Sequence, residues 1–127
     1  MADDLRDWLA RVDQMGELKR VDGADWNLEI GSISGLNIRK EDGPALLFGN
    51  IKGYPEGFRV LTCSTHTRRR LEFTFNLPQS ASAMKLVESM REKLPEWERR
   101  LKEFPYEVVK TGPLLENVRS GKDVNLF

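Results

Sequence analysis

At 127 residues the chain suits a single domain. Hydrophobic residues make up 39% and charged residues 31%, a composition that excludes a disordered chain, and no apolar run approaches membrane-spanning length. The 20 Lys and Arg balance 20 Asp and Glu, so no overall field draws the chain toward nucleic acid or an anionic membrane.

The N-terminal stretch DDLRDWLARVDQMGEL predicts an amphipathic helix. Asp3 or Asp4 can cap it, and Leu5, Trp8, Leu9, Val12 and Met15 share one face. Gly16 supplies a C-terminal stop. This segment lacks a basic start followed by an apolar core, so it is no signal peptide. ELKRV (17–21) reads as a short strand and Asp22-Gly23 as a turn. Beyond a capping Asp25, the spacing of Trp26, Ile30 and Ile33 predicts a helix over about 26–36, opposed by Gly31 and Gly35.

ALLFGNI (45–51) and FRVLTCS (58–64) are runs of strand formers joined by the loop KGYPEG, on which Tyr54 is a candidate contact residue. Leu71 and Phe75 then predict a short helix closed by Pro78. In SASAMKLVESMREKLPEWERRLKEF, Ala83, Val87, Met90, Leu94, Trp97, Leu101 and Phe104 form a continuous apolar seam, the pattern of a core-facing helix. Pro95 predicts a kink or break, with a second short helix beginning there. YEVVK (106–110) and PLLENV (113–118) read as strands.

The C-terminal stretch GPLLENVRSGKDVNLF raises its own expectation. Leu114, Leu115 and Val118 should anchor in the domain. Val124, Leu126 and Phe127 follow a turn at Ser120-Gly121 and should be poorly ordered or docked on a neighbouring apolar surface. The order of elements predicts an α+β fold, a small mixed or antiparallel sheet with helices packed on it. We divide it into an N-terminal α+β domain over 1–78, a helical connector over 79–105 and a strand segment over 106–127.

Complete catalytic chemistry does not emerge from the residues. The single cysteine, Cys63, permits no intrachain disulfide and fits a reducing cytoplasm. With the single histidine, His66, it forms Cys-x-x-His, but zinc needs three or four ligands and no other cysteine or histidine exists. A strand-end cysteine and a loop histidine are the stronger reading, ahead of a nucleophile–base pair with nothing to orient it. Arg68, Arg69 and Arg70 are the densest cationic stretch, suited to phosphate or a partner's carboxylates. Cations at a helix start are unfavourable, which calls for a counter-charge such as Glu72 or a neighbouring domain. A solvated face remains the plainer reading. GNIKGYPEG has neither the phosphate-loop nor the dinucleotide spacing.

Four segments in order, LRDWLARVDQMGELKRVD, NLEIGSIS, GPALLFGNIKGYPEGFRVL and KTGPLLENVRSGKDVNLF, resemble the N-terminal region of UbiD-type decarboxylases. The resemblance covers about residues 3–127. It implies reversible non-oxidative decarboxylation of aromatic or α,β-unsaturated acids with prenylated FMN, a divalent metal, usually Mn2+, and K+. In that family the cofactors and the catalytic Glu-Arg-Glu/Asp set lie in the following flavin domain. No catalytic, flavin-binding or metal residue is therefore carried onto this chain. The chain is several-fold shorter than the family's, and TCSTHTRRRLEFTFNLP replaces a helix that many relatives write differently.

The expectation is a scaffolding N-terminal portion of such an enzyme, catalytically incomplete alone; the alternative is a free-standing accessory subunit docking on a larger catalytic subunit. Either way the implied partner is a flavin-binding domain or subunit, with a homo-oligomer also open, and the location cytoplasmic. Arg68, Arg69, Arg70, Tyr54, Val124, Leu126 and Phe127 are the residues that would meet it.

Overall fold

A computed structural model describes residues 4–79, 82–116 and 118–124. The chain divides into two compact units, residues 1–93 and 94–127.

In the first unit, helix α1 (Leu5–Gln14) opens as the sequence predicts: Asp4 is extended and its carboxylate accepts the Asp7 N–H at 2.8 Å. It closes on Gly16, whose φ of +72° carries no penalty without a Cβ. Gly16 N–H then reaches Asp13 O and Glu17 N–H reaches Val12 O, so two orphan carbonyls are satisfied. The turn aims the chain directly into strand β1 (Leu18–Asp22).

Helix α2 (Glu29–Ile38) carries the chain over the sheet to β2 (Ala45–Gly49), which lies parallel to β1 with Leu18 opposite Ala45 and Asp22 opposite Gly49. α2 starts three residues later than the periodicity predicts. The Asp25 carboxylate accepts the Asn27 N–H at 2.8 Å, a local turn where the helix would have begun, and Trp26 stays outside it. β3 (Val60–Thr62) pairs antiparallel with β2, Leu47 opposite Leu61. The result is a mixed three-stranded sheet in the order β1-β2-β3, as the predicted α+β class requires.

β2 sits in the middle and buries both faces. On one face Ala45 packs with Trp8 and Val12 of α1, joined by Leu18, Leu61 and Phe73. On the other, Leu46 and Phe48 pack with Ala24, Val21 and the α2 residues Ile30 and Ile33. That double burial explains the unbroken ALLF run, since neither face can be polar. Each such large side chain, fully buried, contributes about 1.5–3 kcal/mol.

Helix α3 (Arg68–Thr74) is capped by Thr67, whose hydroxyl accepts the Arg70 N–H at 3.4 Å. It ends before Pro78 can act. Asn76 takes φ +51°, and N–H groups of Asn76 and Leu77 return to Phe73 O and Glu72 O. Asn tolerates the left-handed region, so the stop is Asn76 rather than the proline. α3 is tied to α1 where Trp8 Nε1 donates to Thr74 Oγ1 at 2.9 Å.

Helix α4 (Ala83–Glu103) runs through Pro95 as one element, so the predicted second helix beginning at Pro95 does not form. Its predicted core role is also overturned. α4 has no buried residue, and Val87, Leu94, Leu101 and Phe104 of the seam are exposed. Periodicity reports that a face is apolar; among the described residues Met90 and Trp97 of that face are half-buried and the rest of it is exposed.

The second unit holds the end of α4 and two 3₁₀ turns, Pro113–Leu115 and Gly121–Asp123. The strands predicted at 106–110 and 113–118 are absent among the described residues. Tyr106, Val108 and Val109 favour a strand, but no strand among the described residues pairs with them. Leu115 and Val118, expected to be anchored, are exposed. Among the described residues, no helix is long and apolar enough to cross a membrane.

Candidate functional site

The three arginines at the start of α3 are the centre of the first unit's polar chemistry, and they divide into two kinds. Arg68 and Arg69 are about half exposed, at 47% and 52%. Arg70 is fully buried, at 0%. The reading of a solvated cationic face fails for Arg70.

Arg70 satisfies its guanidinium entirely within this chain. Nε donates to Ser64 O at 3.1 Å, and Nη1 to Glu17 Oε2 at 2.9 Å. Nη2 donates to Gly43 O at 2.6 Å and to Cys63 O at 3.2 Å. A planar fork of five N–H donors suits this task, where a lysine would supply only a point charge. The fork joins the entry to β1, the loop before β2 and the exit of β3. Glu17 also accepts from Arg69 Nη1 at 2.9 Å and from the Thr67 hydroxyl at 3.2 Å.

The counter-charge that the helix start demanded is thus mainly Glu17. Glu72, the residue nominated from sequence, pairs with Arg68 at 3.7 Å. Glu17 was missed because its only local role is to follow the glycine stop of α1. The available signal was an acidic residue at the head of a strand, which has no specificity.

Beside this clasp lies an open depression of about 680 Å³, lined by Glu17, Glu41, Asp42, His66, Arg68, Arg69 and Glu72 among others. Its carboxylates Glu17 and Glu72 face arginines. A donor set so engaged does not fit a divalent metal. Among the described residues, no three His, Cys, Asp or Glu side chains are grouped to hold one.

Cys63 and His66 are not brought together for catalysis. Cys63 packs against the α2 face of the sheet, with Sγ 3.8 Å from Ser34 O. His66 Nε2 donates to Lys40 O at 2.8 Å, a bond that fixes the proton on Nε2 because a carbonyl only accepts. Tyr54 is half exposed on its loop and meets Phe58 at a ring-centroid distance of 5.9 Å. Val124 is half exposed; Leu126 and Phe127 lie outside the described residues.

The first unit is a βαβ unit extended by an antiparallel strand and pinned by a buried arginine. The profile of the 3-octaprenyl-4-hydroxybenzoate carboxy-lyase N-terminal domain (UbiD_N) matches residues 9–90, and the chain belongs to that family. Among solved structures it is similar to vanillic acid decarboxylase (ShVdcCD) from Sedimentibacter hydroxybenzoicus. An open form with truncated ShVdcD aligns at 25% identity and a TM-score of 0.57, over 80% of this chain and 20% of that one. The closed form aligns at 27% identity and 0.55, over 100% of this chain and 26% of that one. This chain therefore spans about a fifth to a quarter of the length of those decarboxylase chains.

Proposed function

We propose that the chain is the N-terminal, non-catalytic portion of a UbiD-type decarboxylase acting on an aromatic or α,β-unsaturated acid. Prenylated FMN, Mn2+ and K+ would be held by the catalytic portion. The observation that carries this reading is a coincidence of boundaries. The family match over 9–90 falls on the compact unit 1–93, which holds the sheet, α1 to α3 and the arginine clasp. Within this reading 1–78 is the folded body, 79–105 the connector and 106–127 the approach to the flavin domain. Arg68, Arg69, Tyr54 and Val124 are available to meet that domain, with Leu126 and Phe127 beyond them. Arg70 supports them from inside.

The test is a chimera of the S. hydroxybenzoicus vanillic acid decarboxylase in which this chain replaces the matching N-terminal region. It should assemble and release carbon dioxide from vanillate, and the isolated chain should not. Turnover by the isolated chain, or a folded chimera without turnover, would overturn the proposal.

A further inference from the structure

The second unit presents a physical problem. Among its described residues none is buried, and a segment of fewer than about 40 residues rarely builds a core alone. Yet Leu94 and Leu101 stand on one face of α4, 53% and 70% exposed, with the half-buried Trp97 between them and Phe104 just past the helix end at 67%. Just past the helix, Tyr106, Val108 and Val109 are exposed as well. Isolated apolar residues on a surface need no explanation, whereas a contiguous stripe of them marks an interaction site. The spacing of seven and then three residues is that of a seam built to pack against a matching ridge.

We infer that this stripe at the end of α4 is the surface on which the catalytic portion of a UbiD-type decarboxylase docks. The inference rests on the function proposed above and names its contact surface. Two observations choose the occupant. The closed-form vanillic acid decarboxylase aligns with all of this chain, residues 94–127 included, yet only 26% of its own chain is used. The counterpart segment there sits within a chain about four times longer, which supplies the polypeptide able to cover it. The stripe is also bordered by charge: the Arg100 guanidinium lies over the Phe104 ring, 5.9 Å from its centroid. A covering surface that fits it is apolar with a carboxylate at its edge, whereas a second copy of the stripe brings its own Arg100.

Thiol labelling tests this. Leu94→Cys and Leu101→Cys are placed singly in a Cys63→Ser background, with Arg99→Cys as an outer-face control. Each is made in the isolated chain and in the vanillic acid decarboxylase chimera, and labelling of the α4 peptide is followed by mass spectrometry. In the isolated chain all three should label rapidly. In the chimera, positions 94 and 101 should slow by about tenfold or more, because the centre of an interface excludes water, and position 99 should be little changed. Equal rates at 94 and 101 in both contexts overturn the docking surface. Slow labelling already in an isolated chain that sediments as a dimer also overturns it, in favour of a second copy. A chimera that assembles without turnover counts against the proposed function, and its labelling rates still decide the docking surface. Independently, Leu94→Lys with Leu101→Lys should leave the isolated chain's unfolding midpoint unchanged and prevent assembly of the chimera; unchanged assembly overturns the inference.

Discussion

Arg70 Nη1 and Glu17 Oε2 meet at 2.9 Å across 53 residues of sequence, with Arg70 fully buried and the Glu17 side chain 17% exposed. Removing the guanidinium takes one of three donors from the Glu17 carboxylate and takes its donor from the buried-side carbonyls of Gly43 and Ser64, while Cys63 O keeps the His66 N–H. Arg70→Met should therefore cost about 3–5 kcal/mol, the range for breaking one side of a buried ion pair. Arg70→Lys keeps the charge but loses the fork, and should recover less than half of that. Urea unfolding of both variants measures it, and a loss below about 1 kcal/mol for Arg70→Met would mean the clasp is incidental.

Gly43 makes the same point from the backbone. Its carbonyl is the shortest acceptor of the Arg70 fork. A Cβ built there collides with the backbone oxygen of Asn37 and comes within 3.1 Å of its side-chain nitrogen. Asn37 is itself buried and donates from Nδ2 to Pro44 O at 2.8 Å, so it has no room to retreat. Gly43→Ala should destabilise by about 1–3 kcal/mol through overpacking. At Gly53, where the glycine has φ +80° and nothing within 4 Å, the same substitution meets backbone strain alone. Comparing the two separates steric from conformational cost; equal losses would remove the packing argument at Gly43.

Local chemistry was legible in the sequence and long-range chemistry was not. Asp4 and Gly16 announce α1 because caps act within four residues. ALLF announces a central strand because burial on both faces removes all polar positions. Arg70 was misread as solvent-facing because two of its acceptors, Glu17 and Gly43, lie far away in sequence and the nearer two, Cys63 and Ser64, are backbone carbonyls. YEVVK looked like a strand because strand propensity measures fit to a neighbour, and none pairs with it among the described residues. The α4 seam was read correctly as apolar, but periodicity does not name what covers a face. Family membership was the most legible fact, since it depends on the order of segments, three of which overlap the 9–90 match, and not on any one contact.

Asp13 and Arg20 give the chain a small acid-sensitive element on its surface. Arg20 donates to Asp13 at 2.8 Å from Nη2 and 3.2 Å from Nη1. That hydrogen bonding holds the Asp13 carboxyl below its ordinary 3.8, against an upward pull from desolvation and with lesser help from the arginine's charge. A depressed carboxyl stabilises the fold fully above its unfolded pKa and loses that contribution as pH falls through the lower, folded value. The effect thus belongs below the usual carboxylate range and is absent from the pH dependence near neutrality. Both partners are open to solvent, so it is screened by salt. In an NMR titration the Asp13 carboxyl carbon should titrate below 3.8 and move back toward it in high salt or in Arg20→Gln. A midpoint unmoved by Arg20→Gln would show that the pair does not form in solution.

Leu28 occupies a backbone conformation that its side chain opposes. The Glu29 N–H donates to Asn27 O at 3.0 Å, closing a three-residue turn around Leu28 with φ +71° and ψ −38°. A turn of this kind with positive φ is rare and strained. The side chain gains little in return, being 76% exposed. Left-handed backbone costs an L-residue about 1–2 kcal/mol, and the added freedom of an unfolded glycine gives back roughly 0.5–1 kcal/mol of that. Leu28→Gly should therefore stabilise the chain slightly, by about 0.5 kcal/mol on balance. Leu28→Val should destabilise it, because a β-branched residue at positive φ is a steeper outlier than leucine. Denaturant midpoints should rank Gly above Leu above Val at this position. The order Val above Leu, which β-propensity or exposure alone would allow, would show that α2 enters by a different turn and begins nearer Trp26, as its apolar periodicity first suggested.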